Sequence, residues 1–538
     1  MLIGCAVAQP TFTSSEAARR PKVIVGITVD QMRYDYIERY WNDYAEGGFK
    51  RLVNEGFFCR NLHYNYLPTK TGPGHASIYT GTTPAVHGIL ANDWYIRSLG
   101  RTINCVEDTA VKGIGSDSHY AKRSPNNLLA TTIGDELKLF TNNRSRVYGV
   151  AHKDRGSILP AGRTADAAYW MMSDSGNFVS SSWYMKDLPK WVKDFNGSGK
   201  ADAYMSQTWS LLKDISVYDE SMDDNNAHEV PFEGMLRPVF PYNLSELAAA
   251  NYQYEMIKET PFGNTITLDF AKALMENEQV GKGEFTDMMC ISFGSLDLIG
   301  HRFGIHSMEM QDGYLRLDKD IEELLNYLDK NYGKDNYLLF LSADHGGHPT
   351  PSYMEKKHGA YGYWKSSVME FKVDESLDKK YGAGNWVSYD SHYQLFLNRK
   401  LIAEKGLNLH AIQDEVAAML LEYPEVQMVF TSHELSKFNG TYPMRQMIER
   451  GFSQKYSADV VYVLKTGFME YGLRGTDHGT GSSNDTHVPA IFFGFGVNKG
   501  ESFAPYTIPD IAPTVTSICK LPMTSGCTGE PIIEVIKK

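Results

Sequence analysis

Asp297 and Asp344 each close an apolar run, and each has a histidine close behind it. The first stands in Cys290-Ile-Ser-Phe-Gly-Ser-Leu-Asp297-Leu-Ile-Gly-His301 and the second in Tyr337-Leu-Leu-Phe-Leu-Ser-Ala-Asp344-His345-Gly-Gly. A third run, Val23 to Val29, ends at Asp30, and a Gly-rich turn far downstream reads Arg474-Gly-Thr-Asp-His478-Gly-Thr-Gly. Carboxylates and imidazoles gathered together are what divalent metals take as protein ligands. Each residue alone has a plain reading: an Asp at a strand end caps a helix, and a lone His sits satisfied in a loop. Six such residues at strand ends would need six coincidences. Asp30, Asp297, His301, Asp344, His345 and His478 are therefore read as the ligands of a two-metal hydrolase.

Leu67-Pro-Thr-Lys-Thr71-Gly-Pro-Gly-His supplies a second kind of chemistry. Pro73 fits the first turn of a helix, where its missing N–H is not needed. Thr71 then lies at or just before the N-cap, and spacing leaves two readings open. Its hydroxyl may be read as a plain cap, or as a nucleophile facing metals, with the helix dipole favouring an anionic oxygen and an anionic substrate. A metal-bound alcohol loses its proton far more readily than a free one.

These residues need elements to hold them. Short apolar runs fed by helical segments read as buried parallel strands, and ligands of open α/β sheets sit beyond the carboxyl ends of such strands. Asp-x-x-x-His sets its two side chains one helical turn apart on one face. Gly346-Gly347 lets the chain turn after Asp344-His345. Strand 23–29 is followed by a helix at 43–55, a second helix from Thr71, a third over 126–140 with Leu128 and Leu129 inward, and a strand at 146–151. Residues 314–327 form an amphipathic helix. The last core strand is placed at 490–495 and a closing helix at 509–518. The pattern predicts a doubly wound, mostly parallel α/β sheet with helices on both faces. Residues 23–530 form the catalytic domain. Two insertions interrupt it, a Trp-rich one at about 165–260, read as a cap over the site, and another at about 350–470. No repeat or low-complexity tract appears.

The chain has 538 residues, 42% of them hydrophobic and 22% charged, ordinary values for a globular protein. Its net charge of −12 disfavours nucleic acid and anionic membranes as partners, and no apolar stretch is long enough to span a bilayer. Residues 1–22 read as a signal remnant or disordered start. Ala6-Val7-Ala8 is an A-x-A cleavage pattern and Leu2-Ile3-Gly4-Cys5 a lipoprotein-like one, so a periplasmic or secreted location is expected. On export, a Cys519–Cys527 disulfide is expected, with Cys59–Cys105 a weaker pairing and Cys290 a buried thiol.

The motif around Thr71, Asn92 in Gly88-Ile-Leu-Ala-Asn-Asp-Trp94, Asp-x-x-x-His, Asp-His-Gly and the late His-Gly-Thr resemble the alkaline phosphatase superfamily. The resemblance covers about 23–165, 264–350 and 470–530. Within the superfamily, the Thr-x-Pro form is similar to the nucleotide pyrophosphatase/phosphodiesterase branch and to the phosphate-irrepressible, PafA-type alkaline phosphatases. Members with a Ser nucleophile have Asp before it and a magnesium site nearby; here Lys70 stands there. Sulfatases require Cys or Ser leading an x-P-x-R motif; here the leader is Thr71, and His75 replaces the Arg.

The resemblance implies that Asp30, Thr71, Asp344 and His345 hold one Zn²⁺, and Asp297, His301 and His478 another. It implies a phospho-threonine intermediate on Thr71 and a hydrogen bond from Asn92 to the phosphoryl group. In Ala151-His-Lys153-Asp-Arg155, Lys153 and Arg155 match the Lys-x-Arg pair that PafA-type enzymes use to grip terminal phosphate oxygens and that the diesterase branch lacks. A solvated basic loop is the plain alternative. Charge agrees with the grip: two Zn²⁺ against three carboxylates and an alkoxide cancel, so Lys153 and Arg155 leave the pocket positive for a dianionic ester. The expected substrates are small phosphate monoesters. The alternatives are a phosphodiesterase or nucleotide pyrophosphatase on the same core, and a non-catalytic zinc-binding protein.

Overall fold

A computed structural model describes residues 19–357, 359–437 and 440–537. The signal pattern and Cys5 lie outside the described residues. Five parallel strands form the centre of one sheet, in the order Tyr337–Ser342, Val23–Val29, Asp287–Phe293, Val147–Ala151, Ala167–Met171. Val23–Val29, Asp287–Phe293 and Tyr337–Ser342 are buried at every position, which is why they read as continuous apolar runs. Their registers align Val29 with Phe293 and Thr28 with Ser342, so Asp30, Asp297 and Asp344 follow neighbouring strand ends.

The sheet is mostly parallel, as expected, with antiparallel pairings toward its flanks. His487–Gly494 runs against Tyr337–Ser342 and pairs with Phe57–His63 on its other side. Phe178–Ser181 runs against Ala167–Met171. The sheet counts eleven strands among the described residues. Phe57–His63 is absent from the sequence reading because Arg60, Asn61 and His63 interrupt its apolar run and lie only half-buried. Gly500–Ser502 and Tyr506–Thr507 also follow the strand taken to be last.

Other expectations need correction. The segment from 165 is core at first, since Ala167–Met171 and Phe178–Ser181 belong to the sheet. Beyond them the insertion is irregular, and Trp209 is fully buried, bonded to Asp312 at 2.7 Å. The helix expected over 126–140 spans Ile133–Phe140, because Thr132 and Asp135 close a capping box there; Leu129 is 73% exposed. The helix expected over 43–55 is shortened to Phe49–Glu55, a further short helix, Asp35–Arg39, precedes it, and that at 314–327 extends over Met308–Tyr332. Cys59, Cys105, Cys290, Cys519 and Cys527 are all free thiols. Cys519 ends the closing helix inside the main core, whereas Cys527 lies against the Gly81 turn, so the expected disulfide does not form.

The second insertion builds its own antiparallel sheet from Val387–Ser391, Gln394–Leu397, Val460–Leu464 and Val426–Thr431. A separate apolar cluster with Trp364, Trp386 and Leu420 backs it.

Candidate active site and metal centre

Thr71 opens a wholly buried helix, Thr71–Thr80, as its first residue rather than its cap. Gly74 lets this helix lie against the Asp344 carbonyl, where a Cβ would collide with backbone. The approach sets the Thr71 hydroxyl 3.5 Å from His345 Nε2. Asn92 Oδ1 accepts the Gly72 N–H at 2.7 Å, which fixes the amide at the start of the same helix.

The six predicted ligands converge. His345 Nε2 stands 3.3 Å from Asp30 and 3.5 Å from Asp344. Asp297 Oδ1 stands 3.2 Å from His301 Nε2 and 3.6 Å from His478 Nε2. Each imidazole is oriented through its other nitrogen, which meets a backbone carbonyl: His345 Nδ1 that of Gly346 at 2.8 Å, His301 Nδ1 that of Thr476 at 2.8 Å, and His478 Nδ1 that of Thr69 at 2.7 Å. With Nδ1 donating, a neutral ring presents the Nε2 lone pair. Ring lone pairs facing carboxylate oxygens have no proton between them, and a cation is what satisfies both. Asp30 Oδ1 and Asp344 Oδ2 are buried without a hydrogen-bond partner, which also fits cation ligands. Among the described residues, Asp30, Asp344 and His345 could hold one ion, and Asp297 with His345 and His478, or His301 with Asp477 and His478, another.

Lys153 reaches into this centre from the end of strand Val147–Ala151. Its ammonium lies 2.6 Å from Asp30 and 2.5 Å from Asp297. Burial opposes its charge, but those two carboxylates raise its pKa above the usual value. Burial and Asp297 push the Asp30 carboxyl up, and Lys153 and His345 outweigh them to hold it low. Burial and the Asp30 charge drive Asp344 well above the carboxylate range. Asp30 and Asp297 thus share one ammonium, while Asp344 beside them is pushed toward its neutral form. Arg155 sits two residues on, in the first turn of helix Asp154–Ala161. Arg123 takes Asp154 at 2.7 Å, so Arg155 keeps only a 3.8 Å approach to that carboxylate and a buried, unpartnered Nε.

Three further contributors are not among the ligands and catalytic residues expected from the sequence. Gln31, at φ 60°, donates from Nε2 to Asp297 at 2.8 Å and from its backbone to Asp344 at 3.1 Å. His75 stands 3.3 Å from Asp344 and pairs with Ser292 at 2.8 Å. Asp477 was passed over beside His478, although its pairing of acid with imidazole repeats that of Asp344-His345.

The family profile described as type I phosphodiesterase / nucleotide pyrophosphatase matches residues 24–480. The chain belongs to that family. Within this type I phosphodiesterase / nucleotide pyrophosphatase family, it is 41% identical over 530 residues to "Alkaline phosphatase PafA" of Elizabethkingia meningoseptica, covering 97% of this chain and 96% of the relative. It is 42% identical to a protein of Myroides odoratus named "Calcium-transporting ATPase", covering 98% of this chain and 96% of that one. The crystal structure of wild-type alkaline phosphatase PafA superposes with a TM-score of 0.94 at 40% identity, over 97% of this chain and 100% of that chain.

Proposed function

We propose that this chain is a phosphate monoester hydrolase of the alkaline-phosphatase type, using Thr71 as nucleophile and two Zn²⁺. The observation that carries the monoester reading is the Lys153 ammonium on Asp30 and Asp297, with the buried Arg155 two residues on, since a dianionic phosphoryl group has more charge to neutralise than a diester. The kinship with the alkaline phosphatases supports it.

Asp30, Asp344 and His345 would hold one ion, and Asp297, His301 and His478 the other. Three imidazoles favour a borderline metal over magnesium. When bound, the ions would supply Lewis acidity toward the threonine hydroxyl and the leaving oxygen. Thr71 Oγ forms a bond to phosphorus as the ester P–O bond breaks, and the departing alkoxide takes up a proton. Water then attacks the phospho-threonine, frees phosphate and restores the hydroxyl. Such transfers depend mainly on positioning and charge stabilisation. Asn92, its carbonyl oxygen occupied by the Gly72 N–H, has its NH₂ left to donate to a phosphoryl oxygen. Lys153 and Arg155 meet the remaining oxygens.

The A-x-A pattern near the N-terminus supports export, and no helix among the described residues is long and apolar enough to cross a membrane. The family description favours a second reading, a phosphodiesterase. Turnover of an aryl phosphate and of its methyl diester separates the two: a higher kcat/KM for the monoester is expected, and the reverse ratio would replace this reading with the second.

A further inference from the structure

Asp477 joins two parts of the site that the proposed chemistry treats separately. Lys70, the residue before the nucleophile, places Nζ 2.9 and 3.1 Å from the two Asp477 oxygens. On its other side, Asp477 Oδ1 lies 3.6 Å from His478 Nε2 and 3.9 Å from His301 Nδ1. Ligand atoms of His301, Asp477 and His478 all fall within 4.8 Å of one another. The segment before Thr71 grips the His478 turn at two more points. His478 Nδ1 meets the Thr69 carbonyl at 2.7 Å, and Thr69 Oγ1 donates to the Thr480 carbonyl at 3.0 Å. Gly479, at φ 119°, leaves room for the Lys70 stem; a Cβ there would lie 2.8 Å from Lys70 Cε.

An ammonium on both oxygens of a carboxylate competes with any cation for it. Asp477 therefore acts on the His301–His478 subsite at one remove, through its field and through the position of the turn. We propose that Asp477 is a positioning residue which divides its carboxylate between Lys70 and the His301–His478 pair, and so couples the nucleophile's helix to that cation subsite alone. The inference rests on the two-metal reading above. It concerns only one of the two ions, because the Asp30–Asp344–His345 group includes neither Asp477 nor Lys70.

The two partners pull cation affinity in opposite directions. Asp477 adds a negative charge beside the subsite and Lys70 offsets it. Lys70→Met leaves the carboxylate uncompensated, and Asp477→Asn leaves the ammonium uncompensated. A pair that merely ties two loops together would instead loosen the turn in both variants.

The test loads the full chain with Zn²⁺, dialyses it against graded chelator and counts zinc per chain by mass spectrometry. Asp477→Asn should release one ion about 10- to 100-fold more readily than the wild type, the scale of lost outer-shell partners. Lys70→Met should hold that same ion more tightly. The other ion should move in neither variant. The double variant Lys70→Met/Asp477→Asn, which removes both charges, should return toward wild-type retention and serves if Asp477→Asn alone folds poorly. Two ions on the wild type with both single variants losing zinc, with neither changing, or with both ions affected alike would overturn this inference alone. Fewer than two ions on the wild type would overturn the two-metal reading and this inference with it.

Discussion

Lys153 touches Asp30 and Asp297 at once, and Arg155 keeps a buried nitrogen free a short distance away. A monoester offers these two residues one more charged oxygen than a diester does. Replacing both by Ala should lower monoester kcat/KM by about 3–6 kcal/mol, two charge-assisted contacts of about 1.5–3 kcal/mol each. Methyl diester hydrolysis should fall much less. Equal losses would make the pair a general electrostatic support, and no loss would remove it from phosphate recognition and leave the diesterase reading in its place. Thr71 allows a cleaner separation of fold from chemistry. Its helix has no side-chain cap, so Thr71→Ala removes no capping bond and should cost about 1 kcal/mol or less in a denaturant titration. Turnover and covalently bound phosphate should both vanish. Labelled phosphate still attached to the variant would move the nucleophile elsewhere.

Helix Met308–Tyr332 brings Glu309, in its first turn, to a buried site where the first insertion places Glu229. Both Glu229 oxygens and Glu309 Oε2 are buried without hydrogen-bond partners, while Tyr242 donates to the other Glu309 oxygen. Burial pushes both carboxyls above the glutamate value of 4.5, joined at Glu229 by the charges of Glu309 and Asp224 and at Glu309 by those of Asp224 and Asp312. The folded state then binds more protons than the unfolded chain, so stability falls as pH rises from about 4.5 through neutrality. Glu229→Gln should therefore melt higher than wild type at pH 8, with the gain fading below pH 4.5; a constant difference across that range would refute the linkage. This pair left no trace in the sequence, where two glutamates 80 positions apart look like solvated surface. Elements buried on both faces were legible: the runs ending at Asp30, Asp297 and Asp344 stood out because no charged residue interrupts them. Phe57–His63 was not, since a strand carrying Arg60 and Asn61 resembles a loop until its partners are known. Among site residues, acids and imidazoles at strand ends announced themselves. Gln31 did not, because a neutral side chain gains its place from a left-handed backbone rather than from spacing.

At the scale of the molecule, the buried acids Asp30, Asp297 and Asp344 gathered beside one ammonium should make the native state depend on added cations. Chelation should abolish hydrolysis and lower the melting temperature together, and Zn²⁺ should restore both better than Mg²⁺. Full activity in stripped protein would sink the two-metal mechanism. The second insertion, with its own sheet and apolar cluster, lies between His345 and His478 in the chain. That arrangement bears on how the protein matures. His478 meets Thr69 across 409 residues, and Gln31 meets Asp344 across 313. Contacts of such contact order form late, because loop closure precedes any reward from them. A chain emerging from synthesis has its Thr71 segment long before His478 exists, so the complete centre is a product of finished folding and not a nucleus for it.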